Sequence, residues 1–136
     1  MTTRQDVQVQ PSGPRLFDPE PTTRGVALDQ GRQSTDALVA STTQTQAAAT
    51  QLQYGVNDIA TCANANDAVA LPQAVAGAVV HFFNSGAQTT KVFGKSGTTD
   101  TINGTAGATG VTGPGAGKMG IAICSTAGAW KLALSA

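Results

Sequence analysis

From residue 57 onward the apolar positions fall in short, quickly alternating runs, the period of strands with one face turned inward. DAVALP, GAVVHFFN, TKVFGK, DTIN, MGIAICS and AWKLAL are each rich in β-branched or aromatic residues. Turn chemistry separates them: Asn84-Ser85-Gly86, Lys95-Ser96-Gly97, Asn103-Gly104 and Ala127-Gly128. Strands at this spacing predict a mainly β domain over residues 57–136, a small antiparallel β-sandwich or jelly-roll-like barrel. A domain of this size buries limited apolar surface, so packing on a partner or on further copies is expected.

Residues 34–56, STDALVASTTQTQAAATQLQYGV, read differently. Ser34 suits an N-cap, Asp36 the positive end of a helix dipole, and Gly55 a C-terminal stop. Leu38, Thr45 and Leu52 recur every seven residues, with Ser41 and Ala48 in the alternate seam. The expectation is one short helix that presents Leu38 and Leu52 to a partner or to the following domain. An extended linker over part of the segment is the alternative, because the threonines lower helix propensity.

Residues 1–33 hold four of the six prolines, Pro11, Pro14, Pro19 and Pro21, which disfavour a helix. With few apolar residues the segment cannot build a core of its own. Either it is a disordered tail, or it is an extended N-terminal arm on another subunit. In the second reading Leu16 and Phe17 are the anchors, and Arg15 and Arg24 pair with carboxylates. The arm is the reading adopted.

Composition narrows the function classes. Only 12% of residues are charged and 4% aromatic, and the formal net charge is zero. Neither a nucleic-acid surface nor attraction to an anionic membrane is expected. No stretch approaches the roughly 20 apolar residues of a membrane span, and the polar start lacks a secretory h-region. Cys62 and Cys124 are too few for a disulfide scaffold and are expected as small buried thiols in a cytoplasmic product.

The inventory for chemistry is thin. GVTGPGAGKMG, residues 110–120, crowds glycines before Gly117-Lys118 as a phosphate-binding loop does. However, Thr112 stands where such a loop needs its first glycine, and Met119 replaces the magnesium-binding hydroxyl. A strand-like run follows instead of a helix, so the segment reads as a turn with Lys118 solvated or at a subunit contact. His81 is the only histidine, and Asp58, Asp67 and Asp100 are the only acids after residue 36. A carboxylate pair from these three is conceivable, but nothing fixes their separation. Cys62, His81 and Cys124 are too scattered for metal ligands. Trp130 is expected to close the β core, with stacking on a sugar as the alternative. Tyr54 is expected to pack on a neighbour. No catalytic residue, cofactor or metal is expected.

The C-terminal pattern resembles a β module of structural proteins of tailed bacteriophages. Leu71-Pro72 leads into a strand ending at Asn84, Gly86 and Ala87; Val92, Phe93, Ser96 and Gly97 follow. Asp100, Ile102, Asn103 and Gly104 form the next turn, Gly117-Lys118 feeds a strand, and Gly128 and Trp130 close the pattern. The resemblance covers residues 68–131. It implies a non-enzymatic virion protein made in the host cytoplasm, of the capsid decoration (cement) type. Its implied partners are the major capsid protein and copies of itself, as a trimer or dimer. Arg15, Leu16, Phe17, Arg24, Leu38 and Leu52 are then the expected capsid or subunit contacts. A head-fibre, neck or tail-fibre subunit, with Trp130 meeting host glycans, is the first rival; a small hydrolase using Asp67 or Asp100 is the second.

Overall fold

Alternation decides the strands. In a computed structural model, which describes residues 34–136, Val79–Asn84 turns Val80, Phe82 and Asn84 inward and leaves Val79, His81 and Phe83 on the opposite side. Eleven strands result: β1 (Ser34–Val39), β2 (Thr50–Gln51), β3 (Gly55–Thr61), β4 (Asp67–Ala70), β5 (Val79–Asn84), β6 (Thr90–Phe93), β7 (Thr101–Ile102), β8 (Thr105–Ala106), β9 (Val111–Thr112), β10 (Lys118–Thr126) and β11 (Ala129–Leu134). They form a seven-stranded sheet in the order β1-β3-β5-β10-β11-β7-β8 and a four-stranded sheet in the order β2-β4-β6-β9. The fold is mainly β, and all six strand-like runs beyond residue 57 are strands.

The topology differs from a plain antiparallel sandwich. The first six strands alternate between the two sheets, and each pairs in parallel with the strand two places on: β1 with β3, β3 with β5, β2 with β4, β4 with β6. The chain therefore winds as a two-walled coil for three turns. Antiparallel pairings end the coil, with β10 on β5 and β9 on β6, and β11 then folds back on β10. The sheets are mixed and no barrel closes. Each corner between β1 and β6 carries the chain across to the other wall rather than back in a hairpin. True two-residue reversals occur at Asn103-Gly104, where both φ angles are positive (51° and 83°), and at Ala127-Gly128, where Gly128 has φ 84°.

The helix expected over 34–56 is not formed: the segment holds β1, a loop, β2 and the first residues of β3, and no helix occurs among the described residues. Local capping signals lost to pairing. Thr50 and Gln51 pair with Val69 and Ala70, and Ala37 sits at φ 57° where the β1–β3 register shifts. The boundary at residue 57 likewise falls inside β3, and the compact unit spans Ser34–Ala136.

The core lies between the two sheets and is built on Trp130, Phe82, Leu52, Ile59, Leu71 and Ile102, with valines from both walls. A second, smaller cluster joins Ala68, Ala70 and Phe93 to Ala49. Gly120 is required here, since a Cβ on it would lie 2.7 Å from the Phe82 ring. Two buried asparagines tie the coil's corners. Asn57 Nδ2 donates to the carbonyls of Gln53 and His81, and Asn84 Nδ2 donates to those of Gln88 and Pro114. These side-chain amides add a second tie between the coil's corners and its strands.

Candidate assembly surface

The outward side of the large sheet is apolar across its four longest neighbouring strands. Strand register places the residues in rows. Val56, His81, Ile121 and Ala133 lie side by side across β3, β5, β10 and β11. Val79, Ile123 and Lys131 form the row on one side, and Asp58, Phe83 and Met119 the row on the other. Ile123 (49% exposed), Val56 (50%), Phe83 (43%) and Met119 (38%) stand in solvent although they occupy the middle of a sheet. Four strands at about 4.8 Å spacing and three rows about 6.8 Å apart give a face of roughly 400 Å². That area includes Asp58, His81 and Lys131, and an apolar patch of this order makes the face a candidate contact surface.

His81 is half-buried between Val56 and Ile121. The charges lie at the margins: Asp58, whose carboxylate accepts a hydrogen bond from Ser85 Oγ at 2.6 Å, and Lys131, which is exposed.

The other residues with chemical potential are committed to structure. Asp67 is fully buried; its Oδ2 accepts from the backbone N–H groups of Ala63 and Asn64, and its Oδ1 has no partner among the described residues. Asp100 Oδ2 accepts from Ala74 N–H at 2.8 Å. Asp67 thus holds two loop N–H groups and Asp100 one. Trp130 is fully buried and donates from Nε1 to the Pro72 carbonyl, so the ring expected to close the core does so and cannot stack on a sugar. Tyr54 donates its hydroxyl to the Gln73 carbonyl; burial first, and then the Asp100 charge, push its pKa above the ordinary value.

Cys62 and Cys124 are both buried and unpaired with each other. Burial, reinforced by the nearby Asp67 carboxylate, pushes the Cys62 thiol up, away from the reactive thiolate. Among the described residues no group of three or more His, Cys, Asp or Glu side chains could hold a metal ion, and no helix is long and apolar enough to cross a membrane.

The glycine-rich segment is a corner with a buried waist. Gly113 and Pro114 are enclosed, and the Pro114 carbonyl accepts from Thr90 N–H and Asn84 Nδ2. Lys118 opens β10 and its Nζ donates to the Ala136 carbonyl, so the phosphate-loop resemblance ends there.

Of the expected contact residues, Arg15, Leu16, Phe17 and Arg24 lie outside the described residues, as does the arm. Leu52 is fully buried in the core and Leu38 packs against it. Their heptad spacing reflects successive approaches to one interior, and Leu52 has no surface to offer a partner. Sequence reasoning missed the outward face because both sides of β5 and β10 are apolar, and alternation alone does not say which side is inside. The signal was present: MGIAI has no polar alternate position and VVHFF only His81, where a strand with one wet face would have several. No protein-family model and no curated protein sequence matches the chain.

Proposed function

We propose that this chain is a structural protein of a tailed-phage virion, a decoration protein that binds the outside of the capsid shell and ties neighbouring subunits of the major capsid protein. One observation carries the reading: a rigid β unit with a fully enclosed core keeps a broad apolar sheet face in solvent. Nothing in folding that unit requires the face to be apolar, so its use is in assembly. The resemblance over residues 68–131 supplies the setting, and an assembly protein on a symmetric shell multiplies a modest contact over many copies.

Mixing the full-length protein with undecorated capsid shells, followed by sedimentation and thermal rupture of the shells, tests it. Saturable co-sedimentation with a higher rupture temperature is expected. Shells that sediment without the protein and rupture unchanged refute the decoration role.

A head-fibre, neck or tail-fibre role is a second reading, favoured by the coil. Parallel turns stacked along an axis are the geometry from which elongated β shafts are built. Small-angle scattering separates the two, since a shaft gives a rod-like profile and a decoration unit a compact one.

A further inference from the structure

We infer that the apolar outer face of the seven-stranded sheet is covered by the same face of a second copy of this chain, in a two-fold, face-to-face pair. The inference rests on the reading of that face as an assembly surface and names its occupant. The arrangement of charge on the face is the argument. The patch is nearly square: Asp58 and Lys131 stand three strands apart in one direction and about 14 Å apart in each. They occupy opposite corners, with only apolar residues and His81 between them.

A two-fold axis lying in the face along the other diagonal exchanges those corners. Asp58 of each copy then meets Lys131 of the other, twice by symmetry, while the two sets of apolar side chains close the centre. Because the patch is square, this operation turns the strands of the copies roughly perpendicular, which is one of the two favoured ways for sheets to stack. Among the described residues, several other charges stand off the face, and Lys118, which opens β10, donates to the Ala136 carbonyl. Asp36 lies on β1, on the acidic side of the patch; Asp67 and Asp100 are buried; Lys91 covers the Phe93 ring on β6 of the other sheet. A footprint near 400 Å² a side, about 800 Å² in total, is half of a standard interface, so the pair is a weak one that the two corner ion pairs and the apolar centre must hold together.

Charge reversal tests the pairing specifically. Asp58→Lys gives a copy with two lysines at the corners, and Lys131→Asp one with two acids, so each repels itself; mixed, they are complementary at both corners. Sedimentation velocity on the full chain is expected to show a dimer, each single reversal to weaken self-association about 10-fold or more, and the equimolar mixture to restore dimers. Ile123→Lys, at a solvent-exposed position, is expected to weaken it about 100-fold with unchanged circular dichroism. A wild-type chain that is monomeric at 100-fold the concentration used for shell binding overturns the inference. So does a dimer indifferent to Ile123→Lys, or a mixture that stays monomeric. Monomer that still co-sediments with shells would overturn the second-copy occupant alone, whereas a dimer that ignores shells would leave the pairing intact and defeat the decoration role.

Discussion

Replacing Trp130 with phenylalanine separates a core tryptophan from a surface one. The indole is fully buried and its Nε1 donates to the Pro72 carbonyl at 3.1 Å. Phenylalanine keeps most of the apolar volume but leaves that buried carbonyl without its donor, a loss of about 1–3 kcal/mol. The smaller ring forfeits a further contribution of about 1 kcal/mol in packing. The total, about 2–4 kcal/mol, corresponds to a fall in Tm of roughly 10–25 °C for a domain of this size. Thermal unfolding followed by far-UV circular dichroism reads it directly. The wild-type protein supplies an independent check, because Trp130 is the sole tryptophan of the chain. Its emission is expected to be blue-shifted in the native state, resistant to iodide, and red-shifted on unfolding. A Tm within about 3 °C of wild type, or free quenching by iodide in the native state, would refute the placement of the ring and return it to the surface.

The same interior makes further expectations definite. Asn84→Leu removes the donor to the Gln88 and Pro114 carbonyls and the acceptor for Gly86 N–H; a loss of about 3 kcal/mol or more in urea unfolding is expected, and a value below about 1 kcal/mol would show these bonds replaced by water. Gly86→Ala places a Cβ 2.2 Å from the Cys62 backbone nitrogen, so it is expected to destabilise by more than about 3 kcal/mol, whereas Gly97→Ala, with open space at φ 83°, costs only backbone strain of about 1 kcal/mol; equal Tm shifts for the two would count against the packing at residue 86. Stability is expected to fall at alkaline pH: the Cys62 and Tyr54 pKa values are raised in the folded state above 9.0 and 10.0, so their contribution is complete below those values and is lost as pH rises through the folded ones. Urea titrations from pH 7 to 11 check the sign, and a midpoint that rises in that window contradicts it. Ellman's reagent is expected to find two thiols in denatured protein and almost none in native protein.

How far the sequence discloses this fold depends on which interactions are local. The strands beyond residue 57 announce themselves by alternation and by turns such as Asn103-Gly104, whose positive φ angles any chain must provide with the same residue types. Residues 34–56 are the opposite case. Ser34, Asp36 and Gly55 are credible helix punctuation, yet β1 is held by Ser34↔Val56 and Thr35↔Asn57, partners one full turn of the coil away. Such pairing has no short-range mark, because the corner between parallel strands is a crossing to the other wall and carries no hairpin chemistry. The same cause hid the apolar outer face. A residue such as Phe83 is indistinguishable in sequence from Phe82, one atom-for-atom copy beside the other, and only the second wall of the coil decides which is enclosed.

That decision has an energetic consequence which joins fold to function. Had β5 carried polar residues at Val79 and Phe83, the core would be unchanged, since neither side chain contributes to it. Their apolar character therefore adds nothing to the enclosed core, while the exposed face lowers the solubility of the isolated protein. The assembly role proposed for the face rests on this pattern: an apolar alternate row outside the core, with one acid and one base at opposite corners. Phe83→Ser and Phe82→Ser then make the sharpest contrast in the molecule: adjacent identical residues, with the first expected to leave Tm within about 2 °C of wild type while weakening association, and the second to lower stability by about 3–5 kcal/mol. Equal effects of the two on thermal unfolding would show that the face is part of the fold rather than its means of assembly.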